Sequence, residues 1–332
     1  MRIVVALGGN ALLQRGQSPD AEVQEQNAKR AIEALAPLAR DHELVITHGN
    51  GPQVGILALQ SASDPHLSTP YPFDVLGAQT QGMIGYWLLQ SMQNARPGRQ
   101  VAAIINQTLV RADDPALDNP TKFVGEVYDE EEAQRLAKDR GWTVKPDGTH
   151  WRRVVGSPRP ERVVETRLIR LLLTSGAIVI CAGGGGVPVI RNDRGELEGI
   201  EAVVDKDMTS AVLAEALEAD ALLVLTDVPG VQENFGTPEA RLIQRATPGS
   251  LRRMDFPAGS MGPKVDAVCR FVELTGDLGA IGRLEDAPAM LRGEAGTVVT
   301  PSGEYHGPPT RTSAAGGKHD AYGSPVAGPS PE

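Results

Sequence analysis

Short apolar runs, each long enough for one buried strand, alternate along this chain with stretches whose apolar residues recur every three or four positions. The clearest runs are Arg2 to Leu7, Glu43 to Thr47, Ala177 to Ala182 and Ala221 to Thr226. Their length and their Val, Ile and Leu content are typical of strands covered on both faces. Strands of this kind joined by helices predict an α/β fold, with an open, mostly parallel sheet sandwiched by helices.

The stretches between the first runs predict helices. One helix is expected from about Ser18, with Ser18 as its N-cap and Pro19 in its first turn, and the next is expected to begin at Pro52. A long helix is predicted over Asp74 to Ala95, with Val75 among its core-facing residues. The chain should then return to the sheet.

The second half repeats this alternation. Glu161 to Ser175 has helical periodicity and leads into the central run. An Ala- and Leu-rich helix should follow Asp207, and a further helix should run from Lys264 to about Thr275. We expect a last βαβ unit from Gly279 to Val299.

Between Gln107 and Val155 the pattern changes to short, polar and irregular pieces. A small helix is expected from Asp129, with Glu132 completing a capping box, and strand-like segments should follow it. An insertion of this kind between regular units predicts a small protruding lid subdomain, over about residues 107–155.

The composition changes again after Thr300, where Pro, Gly, Ser and His dominate and apolar periodicity ends. Such a segment cannot bury enough apolar surface to offset its conformational entropy. We therefore expect one folded domain over residues 1–299, which includes the lid, and a disordered tail over residues 300–332.

Composition excludes several classes of function. The net charge of −10 over 332 residues argues against a broad nucleic-acid surface. Apolar runs stay far below membrane-spanning length and Met1 leads directly into a strand, so we expect a cytoplasmic protein without a membrane partner. Cys181 and Cys269 are the two cysteines; they have no zinc-site spacing and should be small core residues.

Glycine clusters follow several predicted strands. Without Cβ atoms, such residues can adopt positive φ and present N–H groups in a concave row that suits anionic oxygens, although a loose corner would look the same in sequence. Ligands of parallel sheets bind beyond the carboxyl ends of the strands, so these turns should converge on one crevice. The turns are Gly8-Gly9-Asn10, Gly49-Asn50-Gly51, Gly183 to Gly186 and Thr226-Asp227.

Two lysines are candidates for chemistry at this crevice. Lys206 opens a helix beyond the four glycines, and Lys264 follows Gly262 and Pro263 at the start of another helix. Phosphoryl transfer needs cations and N–H groups around the oxygens more than it needs a covalent catalyst. Asp207 could hold the ammonium groups in place, or could simply cap its helix.

Eight segments of the chain occur in the order and spacing found in carbamate kinases, which this sequence resembles over about residues 1–299. The segments are VVALGGNAL (Val4 to Leu12), THGNGPQVG (Thr47 to Gly55), QGMIGYWL (Gln81 to Leu88), NPTKFVG (Asn119 to Gly125), AGGGGVPV (Ala182 to Val189), DKD (Asp205 to Asp207), LTDV (Leu225 to Val228) and PAGSMGPKV (Pro257 to Val265).

The resemblance implies an amino-acid-kinase fold, a homodimer, and reversible phosphoryl transfer between carbamoyl phosphate and ADP that gives carbamate and ATP. Mg²⁺ would accompany ADP or ATP, and no residue of the chain is assigned as a metal ligand. In relatives the reaction usually serves arginine breakdown. The resemblance also implies that Lys206 and Lys264 neutralise the transferring phosphoryl group while Asp207 orients the two lysines.

The resemblance assigns the remaining site residues to two sides of the crevice. The carbamoyl phosphate side would comprise Gly8, Gly9, Asn10, Gly49, Asn50, Gly51, Gly183 and Gly184. The nucleotide side would comprise Asp227, Val231, Ser260, Met261, Gly262 and Lys264. Many kinases of the wider superfamily carry a lysine in the first strand where this chain has Ala6, and the resemblance implies that Lys122 of the lid takes its place.

Two positions and one segment depart from the family pattern. Gln232 stands where Tyr is common and Pro229 replaces a frequent Asp, which would affect nucleotide affinity. The Lys122 segment reads KFVGEVY where KPIGPFY is more usual, which would affect lid closure.

Two other functions stay open at this stage. The chain could be another kinase of the superfamily that acts on a carboxylate, a phosphonate or a nucleoside monophosphate. It could also be a non-catalytic sensor of nucleotide or carbamoyl phosphate, although loss of Lys206, Asp207 or Lys264 would be expected of such a protein and all three are present.

Overall fold

A computed structural model describes residues 1–14, 16–256 and 260–307 of the chain. The helices are α1 (Ala21–Leu35), α2 (Gly51–Ser63), α3 (Phe73–Ala95), α4 (Pro115–Asp118), α5 (Glu130–Arg140), α6 (Thr166–Thr174), α7 (Lys206–Ala216), α8 (Pro248–Leu251), α9 (Met261–Thr275) and α10 (Ala287–Leu291). The strands are β1 (Arg2–Leu7), β2 (Glu43–His48), β3 (Val101–Ala103), β4 (Gln107–Val110), β5 (Lys122–Tyr128), β6 (Thr143–Asp147), β7 (His150–Val155), β8 (Pro160–Val163), β9 (Ile178–Cys181), β10 (Val187–Arg191), β11 (Leu197–Gly199), β12 (Ala221–Thr226), β13 (Gln232–Glu233), β14 (Arg241–Leu242), β15 (Arg245–Ala246), β16 (Leu278–Arg283) and β17 (Thr297–Val299).

The central layer is an eight-stranded sheet in the order β15-β17-β16-β12-β1-β2-β9-β3. β1 lies in the middle and pairs in parallel with β12 on one side and with β2 on the other. The predicted open, mostly parallel sheet is therefore confirmed. The carboxyl ends of β1, β2, β9 and β12 lie at one edge of this sheet, where the glycine turns follow.

The predicted last βαβ unit is wrong in its direction, because β17 pairs antiparallel with β16. Helix α10 has five residues and β16 has six. At about 1.5 Å per helical residue and about 3.3 Å per strand residue, α10 is much shorter than the strand that it follows. It therefore does not carry the chain back along the sheet for a parallel return.

Helices cover both faces of the sheet, and β1 shows how the sequence achieves this. Ile3, Val5 and Leu7 point into a core that contains α1, α3 and α10 residues. Val4 and Ala6 alternate with them and point into a second core that contains α6, α7 and α9 residues. Because successive side chains of a strand point to opposite faces, a continuous apolar run serves both cores.

Several predicted boundaries differ from the structure. Helix α1 begins after Asp20, not at Ser18, whose hydroxyl donates to Asp20 at 2.7 Å. Val75 is 38% exposed because it lies about 100° around the helix from Leu76, which faces the core. The first part of the segment predicted as helix from Glu161 is instead the end of β8.

The predicted insertion at residues 107–155 is divided between two smaller sheets. β4 belongs to a four-stranded sheet in the order β11-β10-β4-β8, together with strands from outside the insertion. The rest forms a three-stranded sheet, β5-β7-β6, with helix α5 against it. Asp129 caps α5 as predicted, since its carboxylate accepts from the N–H of Glu132 at 2.8 Å, but Glu132 does not complete the capping box, because its carboxylate pairs with Arg135. We call β5, β6, β7 and α5 the small lobe.

The first residues of the predicted tail pack against the domain. The Tyr305 hydroxyl donates to the carbonyl of Leu291, and its ring lies against Gly293, where an added Cβ would meet it at 2.5 Å. The Pro- and Gly-rich composition of the segment gave no sign of this aromatic anchor. Residues 308–332 of the predicted tail lie outside the described residues.

Both cysteines are buried and free, as predicted for small core residues. Burial raises the pKa of the Cys181 thiol to about 12. In the parts of the chain that the structure describes, the helices all lack the combination of length and apolarity needed to cross a membrane.

Candidate active site

The amino terminus of α7 is built around Asp205. Its carboxylate accepts from the N–H groups of Asp207 and Met208 at 3.0 and 3.1 Å, so Asp205 is the N-cap. Asp207 is therefore not needed as a cap, and its side chain is available for another role.

Asp207 joins two lysines from different helices. Oδ1 lies 2.5 Å from Nζ of Lys206, and Oδ2 lies 2.9 Å from Nζ of Lys264, which α9 supplies from its first turn. The side chains are 5%, 11% and 16% exposed for Asp207, Lys206 and Lys264. Two ammonium groups on one buried carboxylate leave a net positive charge at the end of the parallel strands.

We call Asp207, Lys206 and Lys264 the triad. Their charges shift the pKa values of Asp207 and Lys206. Burial alone would raise the pKa of Asp207, but Lys206 and Lys264 together lower it to about 2. Burial lowers the pKa of Lys206, Asp207 opposes this, and the nearby charge of Lys264 lowers it further. Asp207 is thus an anion that orients cations, not a proton acceptor at neutral pH.

Lys122 of the small lobe reaches the same helix terminus. Its Nζ lies 3.4 Å from Oδ2 of Asp205, and its side chain is 42% exposed. The structure therefore brings Lys122 beside the triad, although the two are more than 80 residues apart in sequence.

The turn at Gly183 to Gly186 is held by hydrogen bonds within the turn and by two threonine hydroxyls. The N–H groups of Gly185 and Gly186 donate to the carbonyls of Ala182 and Gly183, both at 3.0 Å. The carbonyl of Gly185 accepts from the hydroxyls of Thr108 and Thr209. The N–H groups of Gly183 and Gly184 take no part in these hydrogen bonds.

The glycine turns also contact each other, which confirms that they converge. A Cβ on Gly184 would lie 2.2 Å from Nδ2 of Asn50, and φ of Gly184 is +63°. A Cβ on Gly49 would lie 2.9 Å from the backbone nitrogen of Gly9. Only residues without side chains allow the three turns to approach so closely.

His48 lies beneath these turns, is 1% exposed, and donates from Nδ1 to the carbonyl of Gly49 at 3.0 Å. Burial lowers its pKa to about 4; the hydrogen bond to Gly49 opposes this effect, and the charge of Lys206 adds to it. The imidazole is therefore neutral at physiological pH.

On the far side of the crevice, Nδ2 of Asn10 donates to Oδ2 of Asp227 at 3.0 Å. This bond joins the first glycine turn to the end of β12. Ser260 is exposed at the start of α9, and Met261 and Gly262 are half-buried there. Residues 257–259 of the same predicted segment lie outside the described residues.

Val231 is placed differently from the expectation. Its side chain is fully buried within the core, and its N–H donates to Oγ1 of Thr297 at 2.8 Å. The side chain therefore does not line a surface that a nucleotide could contact, because it is part of the second core.

Asn106, a fully buried residue that no sequence pattern indicated, shapes the glycine turn. Its Oδ1 accepts from the N–H of Ala182 at 2.6 Å, which supports the left-handed conformation of that residue, φ 51°. Gln81 in turn pairs with both the N–H and the carbonyl of Asn106. Gln81 opens one of the eight segments that carry the family resemblance, but no sequence signal connected Gln81 to the turn.

The chain is similar to several known proteins. The sequence model of the amino acid kinase family matches residues 1–277. The carbamate kinase of Rhizobium meliloti is 54% identical over 306 residues, covering 91% of this chain and 94% of that protein. The carbamate kinase of Haemophilus influenzae is 49% identical, covering 90% and 97%. The solved structure of the Giardia lamblia carbamate kinase bound to AMP-PNP superposes with a TM-score of 0.83 at 37% identity, covering 90% and 98%.

Proposed function

Since this chain belongs to the amino acid kinase family and is a carbamate kinase, we propose that it transfers the phosphoryl group of carbamoyl phosphate to ADP, reversibly. The observation that carries this proposal is the pair of buried ammonium groups on Asp207, at the edge where the glycine turns converge. The AMP-PNP named with the Giardia lamblia enzyme supports a nucleotide as the second substrate.

The chemistry needs no covalent intermediate on the protein. The bond between phosphorus and the carbamoyl oxygen breaks, and a terminal oxygen of ADP forms the new bond to phosphorus. Carbamate leaves as an anion, so the protein need not supply a proton. Charge spreads over the equatorial oxygens in the transition state, where fixed cations and N–H groups stabilise it most.

Lys206 and Lys264 lie where they could supply that charge from two helices. Asp207 keeps both ammonium groups in place without taking a proton, because its pKa is about 2. On the carbamoyl phosphate side, the N–H groups of Gly183 and Gly184 would donate to the phosphate oxygens. The turns at Gly8, Gly9 and Asn10 and at Gly49, Asn50 and Gly51 would form the remaining walls.

The nucleotide would bind on the side of Asp227. Ser260, Met261 and Gly262 precede Lys264 on α9, so a nucleotide phosphate near them would also be near the triad. Val231 would take part through its backbone alone, since its side chain is buried.

Mg²⁺ would enter together with the nucleotide. Among the described residues there is no group of three His, Cys, Asp or Glu side chains placed to hold a metal ion. Mg²⁺ is commonly held by phosphates and water with only one or two protein carboxylates. When bound, Mg²⁺ would neutralise phosphate charge; Asp227 is the acidic residue that lies on the nucleotide side.

The small lobe would act as a mobile lid that brings Lys122 to the substrate phosphate. The contact between Lys122 and Asp205 supports this proposal, since it places the lysine beside the triad. From the family resemblance we also infer a homodimer and a role in arginine breakdown. Size-exclusion chromatography with light scattering would test the first of these inferences.

The test of function is a coupled assay of ATP formed from ADP, Mg²⁺ and carbamoyl phosphate by the purified chain. We expect turnover with these substrates, and much slower phosphorylation of N-acetylglutamate, glutamate or UMP by ATP. Faster use of one of those acceptors would assign the chain to another kinase activity. Nucleotide binding without turnover would make it a sensor.

A further inference from the structure

A cavity of about 220 Å³ lies between helix α2 and the small lobe. Ala58 and Ala62 of α2 line one wall, while Tyr128 of β5 and Arg140 of α5 line the opposite wall. Sites for drug-sized ligands measure about 300–1,000 Å³, so an occupant of this cavity must be smaller.

The lining combines aromatic rings with arginines. Trp142 contributes its indole ring, and the guanidinium group of Arg140 lies 5.1 Å from the ring centre. The Arg153 guanidinium lies between two rings, at 4.6 Å from Trp142 and 4.8 Å from Phe73. Arginines stacked on rings keep their in-plane N–H donors available for a carboxylate or phosphate.

The arginines of this lining differ in whether a carboxylate neutralises them. Arg153 is paired with Glu201 at 2.5 Å, and Arg135 is paired with Glu132 at 3.4 Å. Arg140 donates to the carbonyl of Ala62 at 3.4 Å, and within the described chain no carboxylate oxygen lies within 4.0 Å of its guanidinium. The cavity thus has an excess of positive charge, concentrated at Arg140, beside an apolar wall.

The cavity extends away from the reaction centre: its lining begins at Val124, two residues from Lys122, and continues to Tyr128 at the other end of β5. A small apolar cluster lies where β5 and β7 meet α2 and α3. It comprises Val54, Phe73, Leu76, Val124 and Val155. Lys122 and Tyr128 are the two ends of β5, six residues apart, which corresponds to about 20 Å.

Two elements nevertheless connect the cavity with the reaction centre. Strand β5 carries Tyr128 of the cavity at one end and Lys122 at the other. Helix α2 carries Ala58 and Ala62 of the cavity and begins at Gly51 of the second glycine turn. An occupant would therefore contact both the small lobe and the body of the protein.

We propose that this cavity is a second ligand site, which binds a small organic anion with a planar apolar body, such as an aromatic carboxylate. The ring of the ligand packs against Ala58, Ala62 and Trp142, and its carboxylate accepts from Arg140. The indole ring and the guanidinium group select for a flat anion over a neutral molecule or an inorganic anion.

Benzoate is the probe, and its binding to the full-length chain is measured by saturation-transfer NMR and titration. A ligand of this size should bind in the millimolar range. Benzyl alcohol lacks the charge and acetate lacks the ring, so both should bind at least fivefold more weakly. Saturating ADP should leave benzoate binding unchanged, because the cavity is separate from the nucleotide side.

Two variants locate the bound probe. Arg140→Gln removes the charge, and Ala62→Phe fills the cavity; each should weaken benzoate binding at least fivefold. Arg194→Gln is the matched control, because the Arg194 side chain is 79% exposed and lies outside the cavity. Melting curves establish that each variant is folded, and Ala62→Phe keeps the test decisive if Arg140→Gln does not fold.

Three results would overturn the proposal. The first is the absence of benzoate binding to the wild-type chain at millimolar concentration. The second is equal binding to wild type and Ala62→Phe, which would place the probe elsewhere. The third is displacement of benzoate by ADP or by carbamoyl phosphate, which would place it at the reaction centre.

Discussion

The ammonium nitrogen of Lys122, the first residue of β5, lies 3.4 Å from a carboxylate oxygen of Asp205, the N-cap of α7. This contact crosses from the small lobe to the body of the protein. Asp205 directly precedes Lys206 in the sequence. The ammonium group of Lys122 is therefore a third cation beside Lys206 and Lys264, which Asp207 holds. Its consequences for catalysis can be tested directly.

We expect Lys122→Ala to lower the turnover of carbamoyl phosphate by about 10- to 100-fold, the equivalent of one charge-assisted hydrogen bond in the transition state. ADP affinity measured without carbamoyl phosphate should stay close to that of wild type. Steady-state kinetics and calorimetry provide these two values. Lys138→Ala is the control, because Lys138 is exposed on α5 of the same lobe.

Limited proteolysis tests whether the small lobe moves when substrates bind. If the lobe closes over the substrates, limited proteolysis within residues 122–155 should slow when carbamoyl phosphate and a nucleotide are both bound. Wild-type turnover in Lys122→Ala, together with unchanged cleavage, would show a static lobe and an uninvolved lysine.

Gly184→Ala should disrupt the carbamoyl phosphate side. The new methyl group would lie 2.2 Å from Nδ2 of Asn50, so the two turns must separate. Displacement of this order costs about 100-fold in rate, and we expect that loss in kcat/KM for carbamoyl phosphate.

Gly195→Ala is the matched control for backbone strain. Gly195 also has positive φ, +76°, but an added Cβ there has no neighbour within 4 Å. Both variants acquire a similar strain of about 1–2 kcal/mol, so a difference in activity between them reports on the turns. Equal activities would show that the close approach at Gly184 has no role.

His48 predicts a pH dependence of stability. The pKa of His48 is about 4 in the folded protein, against 6.5 ordinarily, so the unfolded chain binds the proton first as pH falls. The folded state therefore loses stability between about pH 6.5 and pH 4. At pH 5 this loss amounts to roughly 2 kcal/mol relative to pH 7.

The measurement is the free energy of unfolding in denaturant at pH 7 and pH 5, for wild type and for His48→Gln. The decrease from pH 7 to pH 5 should be smaller by roughly 2 kcal/mol in the variant, whatever its absolute stability. His150→Gln, at an exposed position of the small lobe, should keep the wild-type decrease. An unchanged decrease in His48→Gln would contradict a buried neutral imidazole.

Much of the fold could be predicted because its central strands are long apolar runs that only a doubly covered sheet accommodates. The strands Arg2–Leu7 and Ala221–Thr226 lie where the pattern placed them. The convergence of the glycine turns followed from the same topology, since parallel strands bring their carboxyl ends to one edge. The ordered motifs then gave the family, which the comparisons confirm.

What the sequence did not predict depends on contacts between distant residues. The antiparallel return of β17 depends on the length of α10, whose ends the pattern did not define. Which of Asp205 and Asp207 caps α7 is a matter of backbone geometry, and both stand at plausible positions. The support of Ala182 by Asn106 joins residues 76 apart in the sequence and leaves no local signature.

The rate of ATP formation from ADP and carbamoyl phosphate by Lys206→Ala and Lys264→Ala, compared with wild type, tests the catalytic role of the two lysines most directly. Each variant should lose about 10²- to 10³-fold in kcat, because each removes a cation that meets charge developing in the transition state. Lys145→Ala, a half-buried lysine of the small lobe, should stay close to wild type. A loss below tenfold in both Lys206→Ala and Lys264→Ala would show that these ammonium groups do not stabilise the transition state.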